Sequence, residues 1–113
     1  MGKEVKMEKE VLFLKSEDTL TVILPKEIDH HAAKPIREKT DTEIFLDFPK
    51  ILVLDFSGVS FMDSSGIGFI LGRCELCEEV GCKVRLKGVS EALMKLIRLS
   101  GIEKIKNLSV SDV

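Results

Sequence analysis

The residues whose types and spacing could do chemistry are Asp63-Ser64-Ser65-Gly66, where an apolar segment gives way to a helical pattern. A helix start presents free backbone N–H groups and a partial positive charge, so it favours an anion. A phosphate carried by a serine at that start would be accommodated by its own helix. Asp63 is also a residue type that caps helices, and its charge would repel a dianion beside it. Taken alone, the four residues read as a cap followed by ordinary first-turn serines. A serine nucleophile is discounted: the segment is not Gly-x-Ser-x-Gly, and no histidine follows it to act as base. There is no Gly-x-x-x-x-Gly-Lys-Ser/Thr phosphate loop, and Gly66-x-Gly68 lacks the third glycine of a dinucleotide site.

Three cysteines, Cys74, Cys77 and Cys82, are the other candidates. Cys74-x-x-Cys77 has the spacing of half a zinc site, but the only histidines are His30 and His31, so no metal or other cofactor is expected. An odd count in a chain without a visible export signal suits reduced thiols in a cytoplasm. The cysteines read as small buried apolar positions.

These residues need elements to hold them. Residues 1–9 carry mostly charge without a period and read as a loosely attached start to a single domain spanning 1–113. Glu10–Lys15 and Thr19–Leu24 read as a hairpin turned at Ser16-Glu17-Asp18. Asp29 is a plausible helix cap, but Pro35 is awkward deep in a helix, so the first helix is expected from Ala33 or Lys34 to about Glu43. Ile51–Phe56 is apolar on both faces, the pattern of a central strand covered on both sides. A helix over Ser64–Val80 places Ile67, Ile70, Leu71, Cys74 and Cys77 inward, and Gly81 stops it. Its glycines at 66, 68 and 72 each cost about 1 kcal/mol relative to Ala, which implies close backbone approach. Cys82–Lys87 alternates as a strand with one wet face. Ser90 caps a helix over Glu91–Ser100 with Leu93, Leu96 and Ile97 inward, and a strand over Ile102–Leu108 closes the chain. The order β-β-α-β-α-β-α-β means an α/β fold with a mixed, mostly parallel sheet.

Composition bounds the function. With 113 residues, 17 basic against 19 acidic, the formal net charge is −2. No basic face for nucleic acid is expected, and six Phe without Trp or Tyr offer no stacking platform. The apolar runs, such as Ile51–Leu54 and Phe69–Leu71, fall far short of the ~20 residues that span a bilayer. The charged start Met1-Gly2-Lys3-Glu4-Val5-Lys6 has no apolar block behind it, so a cytoplasmic location without membrane attachment is expected.

Ser60-Phe-Met-Asp-Ser-Ser-Gly-Ile-Gly-Phe-Ile-Leu-Gly-Arg73 resembles the signature of bacterial anti-sigma factor antagonists, members of the STAS (sulphate transporter and anti-sigma factor antagonist) family. Glu27-Ile-Asp-His-His31 and Ser90 through Ser100-Gly-Ile102 resemble further segments of the sporulation antagonists, and the likeness runs from about Val11 to Leu108. The resemblance implies helices packed on a sheet in a right-handed β-α superhelix, and a switch protein that is not an enzyme. Unmodified, such a protein binds an anti-sigma factor, which releases its sigma factor in sporulation or a stress response. The anti-sigma factor is also a serine kinase that phosphorylates the first serine of the motif, here Ser64, and a serine phosphatase reverses it.

The same resemblance places Asp29, His30, Met62, Asp63, Ser64, Ser65, Gly66, Gly68 and Arg73 at the partner surface. Several of these have a plainer reading. Asp29 could be only a cap and His30 a solvated imidazole, Met62 could be core, and Arg73 could point to solvent. Ile67 reads as core. Gly66 and Gly68 suit close approach by a partner or by a neighbouring strand. Lys26-Glu27, with Pro25 ahead, stand where the sporulation antagonists have glycine, and the chain ends at Ser109-Val-Ser-Asp-Val113, where those proteins enter a fourth helix. Both departures bear on partner preference. The other reading is a stand-alone STAS module that binds a nucleotide or lipid, or a scaffold without a phosphorylation switch.

Overall fold

The apolar run 51–54 forms the middle of a six-stranded sheet. The computed structural model describes residues 4–8 and 11–111, with side chains from Val11 onward. Strand β5 (Ile51–Asp55) lies between β3 (Thr19–Ile23) and β7 (Lys83–Lys87) and is parallel to both. The sheet order is β1-β2-β3-β5-β7-β8, with β1 (Glu4–Glu8) and β2 (Val11–Ser16) antiparallel additions at one edge and β8 (Leu108–Val110) parallel at the other.

Three helices connect the parallel strands: α1 (His30–Asp47), α2 (Ser64–Val80) and α3 (Glu91–Ser100). Each crossover moves one place in the same direction across the sheet. Right-handed crossovers of that kind put every helix on one face. Burial follows: Phe13, Leu20, Val22, Leu52, Leu54, Val84 and Leu86 are buried on the helix side, whereas Lys83, Arg85 and Lys87 are exposed on the other. The central strand is therefore roofed by helices on one face only. Val53 points the other way and is shielded between Thr21 and Arg85, its register partners.

The single covered face of the central strand departs from the sequence reading, and so do several other features. Residues 4–8, read as a loose start, pair with β2 along their whole length. Helix α1 starts at His30, capped directly by Asp29, and carries Pro35 in its sixth position. That proline leaves the His31 carbonyl without its helical donor, but both residues are exposed and water can serve the carbonyl. The last strand is Leu108–Val110, preceded by a 3₁₀ turn over Ile102–Lys104. Leu71 is exposed rather than inward, and Leu96 is only half-buried. Two short strands were also not foreseen: β4 (Glu27–Ile28) and β6 (Phe61–Met62) pair in parallel outside the main sheet.

An ion pair ties α1 to the sheet. Lys15 Nζ lies 2.6 Å from Glu43 Oε1 and 3.2 Å from Asp47 Oδ2, with Glu43 fully buried. The Glu43 contact holds the Lys15 ammonium above its ordinary pKa of 10.5. A raised lysine pKa contributes stability that is complete below the unfolded value and is lost as pH rises through the folded one. Lys15→Ala is expected to cost about 2 kcal/mol in urea unfolding at pH 7, because it deprives a buried carboxylate of a partner. The gap between wild type and variant should narrow above pH 10.5; a gap that stays constant with pH would contradict this account.

Candidate functional site

Asp29 and Asp63 are brought together by a two-stranded sheet separate from the main one. Ile28 pairs with Met62 in the parallel β4–β6 ladder, and the next residue on each strand caps a helix. Ile28 is fully buried and Met62 is 5% exposed. Burying two such side chains is worth about 1.5–3 kcal/mol each, enough to anchor a two-residue ladder that could not stand alone. The loop before α2 is tied to β4 as well, since Ser60 N donates to Lys26 O (2.8 Å) and Asp63 N to Ile28 O (3.3 Å). The starts of α1 and α2 thus lie side by side.

Each start is capped by its aspartate. Asp29 Oδ1 accepts from Ala32 N (2.9 Å) and His31 N (3.0 Å), and these amides, Ala32 foremost, hold its carboxyl below the ordinary carboxylate pKa. Asp63 Oδ1 accepts from Ser65 N at 2.8 Å. Ser64 follows as the first residue of α2 and is exposed. Ser65 is half-buried, and His30, the first residue of α1, is exposed. A phosphate on Ser64 would sit over the N-terminal turn of α2, beside the capping carboxylate of Asp63.

Three expected surface residues are not at the surface. Met62 is buried beneath the start of α2. Gly66 is buried against it: a Cβ there would run into Met62 Cγ and Sδ. That glycine is required by the protein's own packing and needs no partner to explain it. Arg73 is 5% exposed; its Nε lies 2.8 Å from Asp41 Oδ1 on α1, and its guanidinium sits 5.4 Å from the centre of the Phe69 ring. It holds α1 to α2 and does not face a partner. Ile67 packs against the core, as read from the sequence.

Gly68 is different: it is exposed, and a Cβ there meets nothing. It borders a groove of about 390 Å³ between α1 and α2, opposite His30, Lys34 and Arg37. Lys34, Arg37 and the half-exposed Phe61 were not singled out from sequence. Placing the start of α1 at Asp29 would have revealed the first two, because positions 30, 34 and 37 then share one helix face.

The three cysteines are buried and form no disulfide. Burial pushes the Cys74 thiol up to about 11, and a hydrogen bond with Cys82 raises Cys77 further, so neither is a thiolate near neutrality. Among the described residues no group of His, Cys, Asp and Glu could hold a metal ion, and no helix is long and apolar enough to cross a membrane.

The two glycines should therefore respond in opposite ways. In urea unfolding, Gly66→Ala is expected to destabilise by about 1–3 kcal/mol through displacement of Met62. Gly68→Ala is expected to stabilise by roughly 0.5–1 kcal/mol, through helix propensity alone. Equal effects at the two sites would refute the packing argument.

The fold has counterparts of known structure. The STAS domain family matches residues 11–111. The anti-sigma factor antagonist SpoIIAA in its unphosphorylated form is 28% identical, with 99% of this chain and 89% of that chain covered and a TM-score of 0.70. The Bacillus cell fate determinant SpoIIAA in its phosphorylated form is 30% identical, with 97% and 91% covered and a TM-score of 0.67. The same fold recurs in the murine anion transporter Slc26a9, at 20% identity over 86% of this chain and 17% of that one, with a TM-score of 0.71. A match over nearly all of the described sheet and all three helices makes this chain a member of the STAS domain family.

Proposed function

We propose that this protein is an anti-sigma factor antagonist switched by phosphorylation of Ser64. The observation that carries the reading is the exposed Ser64 at the first position of α2, next to the Asp63 cap, on helix starts joined by the β4–β6 ladder. In the unphosphorylated form the protein binds an anti-sigma factor, which then releases its sigma factor. That anti-sigma factor is also the serine kinase, and a serine phosphatase restores the binding form. Asp29, His30, Asp63, Ser64, Ser65 and Gly68 form the partner-facing surface. The protein itself performs no catalysis, needs no cofactor, does not touch nucleic acid and works in the cytoplasm.

Support comes from the relatives. SpoIIAA, described as an anti-sigma factor antagonist, has been solved in both unphosphorylated and phosphorylated forms, and both resemble this chain to a similar degree. That similarity suits a switch that changes surface charge and leaves the fold in place.

The energetics of the site agree. Phosphorylation adds about −1.5 to −2 charge at pH 7. On the free protein the α2 N-terminus offsets part of this, by about 0.3–1 kcal/mol at an exposed position. In a closed interface the dianion must lose water beside Asp63, at a cost of several kcal/mol. Each 1.4 kcal/mol is a tenfold loss of affinity, so a weakening of about two orders of magnitude is expected.

Intact-mass spectrometry after incubation with ATP and the host's anti-sigma kinases tests the reading. One added phosphate is expected on wild type and none on Ser64→Ala, while Ser64→Glu should bind the kinase at least tenfold more weakly than wild type. Phosphate retained on Ser64→Ala would move the site to Ser65. No phosphate from any of these kinases would overturn the switch and favour a ligand-binding or scaffold module.

A further inference from the structure

We infer that the groove between α1 and α2 seats an acidic segment of the partner kinase, and that its cations, Lys34 and Arg37, are the specificity contacts of the switch surface. The inference rests on the proposed function and extends it to the chemistry of the partner.

The groove is cationic in a chain whose net charge is −2. His30, Lys34 and Arg37 line one wall and Ser65, Gly68 and Phe69 the other; no carboxylate lines it. Lys34 and Arg37 are exposed, and neither forms an ion pair among the described residues. The nearby carboxylate on α1, Asp41, is engaged by Arg73. Asp41 also attracts Arg37, one turn before it on α1, but neither Lys34 nor Arg37 has a carboxylate within ion-pair distance among the described residues, so both remain available to the groove.

The groove is also kept open at a cost. Gly68 lies inside α2, where Ala would be favoured by about 1 kcal/mol. Among the described residues, nothing beyond the adjoining backbone of α2 comes within 4 Å of the position its Cβ would take. Gly66 has an internal reason to lack a side chain; Gly68 and Gly72 have none, and of these two only Gly68 borders the groove, where the space it leaves suits a group from outside.

Continuity with the switch selects the occupant. Ser64 and Gly68 are four residues apart on α2, one turn along the same face. A partner held at Ser64 therefore lies over the groove. Its complement is a segment bearing Asp or Glu, whose carboxylate meets Lys34 and Arg37 while its backbone passes over Gly68. Phosphorylation then acts in two ways, because the dianion on Ser64 repels the incoming carboxylate and competes for the same cations.

The test is titration calorimetry of the full chain with the kinase that phosphorylates it. Lys34→Glu/Arg37→Glu is expected to bind at least tenfold more weakly than wild type, with a smaller salt dependence. Gly68→Gln, which fills the groove without altering charge, should lose a similar factor. Lys104→Glu/Lys106→Glu, an equal charge change at exposed positions in and just after the 3₁₀ turn, should bind like wild type. Thermal melts of all variants within a few degrees of wild type would exclude unfolding as the cause. Wild-type affinity in the double and Gly68 variants, with Ser64 still phosphorylated, would overturn the inference and leave the proposed function standing. Failure of wild type to bind any kinase would overturn both. Saturable binding of ATP or GTP that Gly68→Gln abolishes, with kinase affinity unchanged, would assign the groove to a nucleotide instead.

Discussion

Everything at the candidate site depends on one pairing, Ile28 against Met62 in a parallel ladder two residues long. It lies outside the main sheet, yet it fixes where two helices begin. A helix start is the one place in regular structure where several backbone N–H groups point outward together. Setting two such starts side by side, each closed by an aspartate, creates a surface that is polar, rigid and positively biased apart from its caps. The ladder holds because both side chains are buried and because Gly66 leaves room for Met62. Ser64 is presented to solvent by that arrangement rather than by a flexible loop.

Helix α2 serves several roles on different faces. Ile70, Cys74 and Cys77 bury one face against the sheet. Arg73 turns toward α1 and is neutralised by Asp41. Ser64, Ser65 and Gly68 remain for the outside. Charge on the outer face can change without disturbing the other two, since the buried pairs Arg73–Asp41 and Lys15–Glu43 lie at other positions. A rigid scaffold of this kind suits a switch that alters binding without altering shape.

Much of this was legible from the residues. The alternation of β7, the caps at Asp63 and Ser90 and the stops at Gly81 and Gly101 are local signals, and the structure follows them. Met62 and Arg73 were not legible in the same way. A methionine before a helix cap reads equally as surface or core, and an arginine in a helix reads as a surface residue, until the neighbouring element is known. Here that element is α1, whose start was obscured by Pro35. A proline in the sixth position of a helix is tolerated only where its turn faces water, and the sequence alone does not reveal that exposure. Moving the start of α1 back to His30 brings Lys34 and Arg37 into one stripe and gives Asp41 a buried partner. The β4–β6 ladder was illegible for a different reason: two residues are too few for any period to show.

The central claim is that phosphate on Ser64 changes charge on a fixed surface. The most direct measurement is a comparison of backbone amide NMR spectra of the protein before and after stoichiometric phosphorylation of Ser64. The account predicts shifts confined to residues 26–37 and 60–69, around the two helix starts, with the amides of β3, β5 and β7 unmoved. Shifts spread through those central strands would show that the switch works by rearranging the fold, and would contradict it.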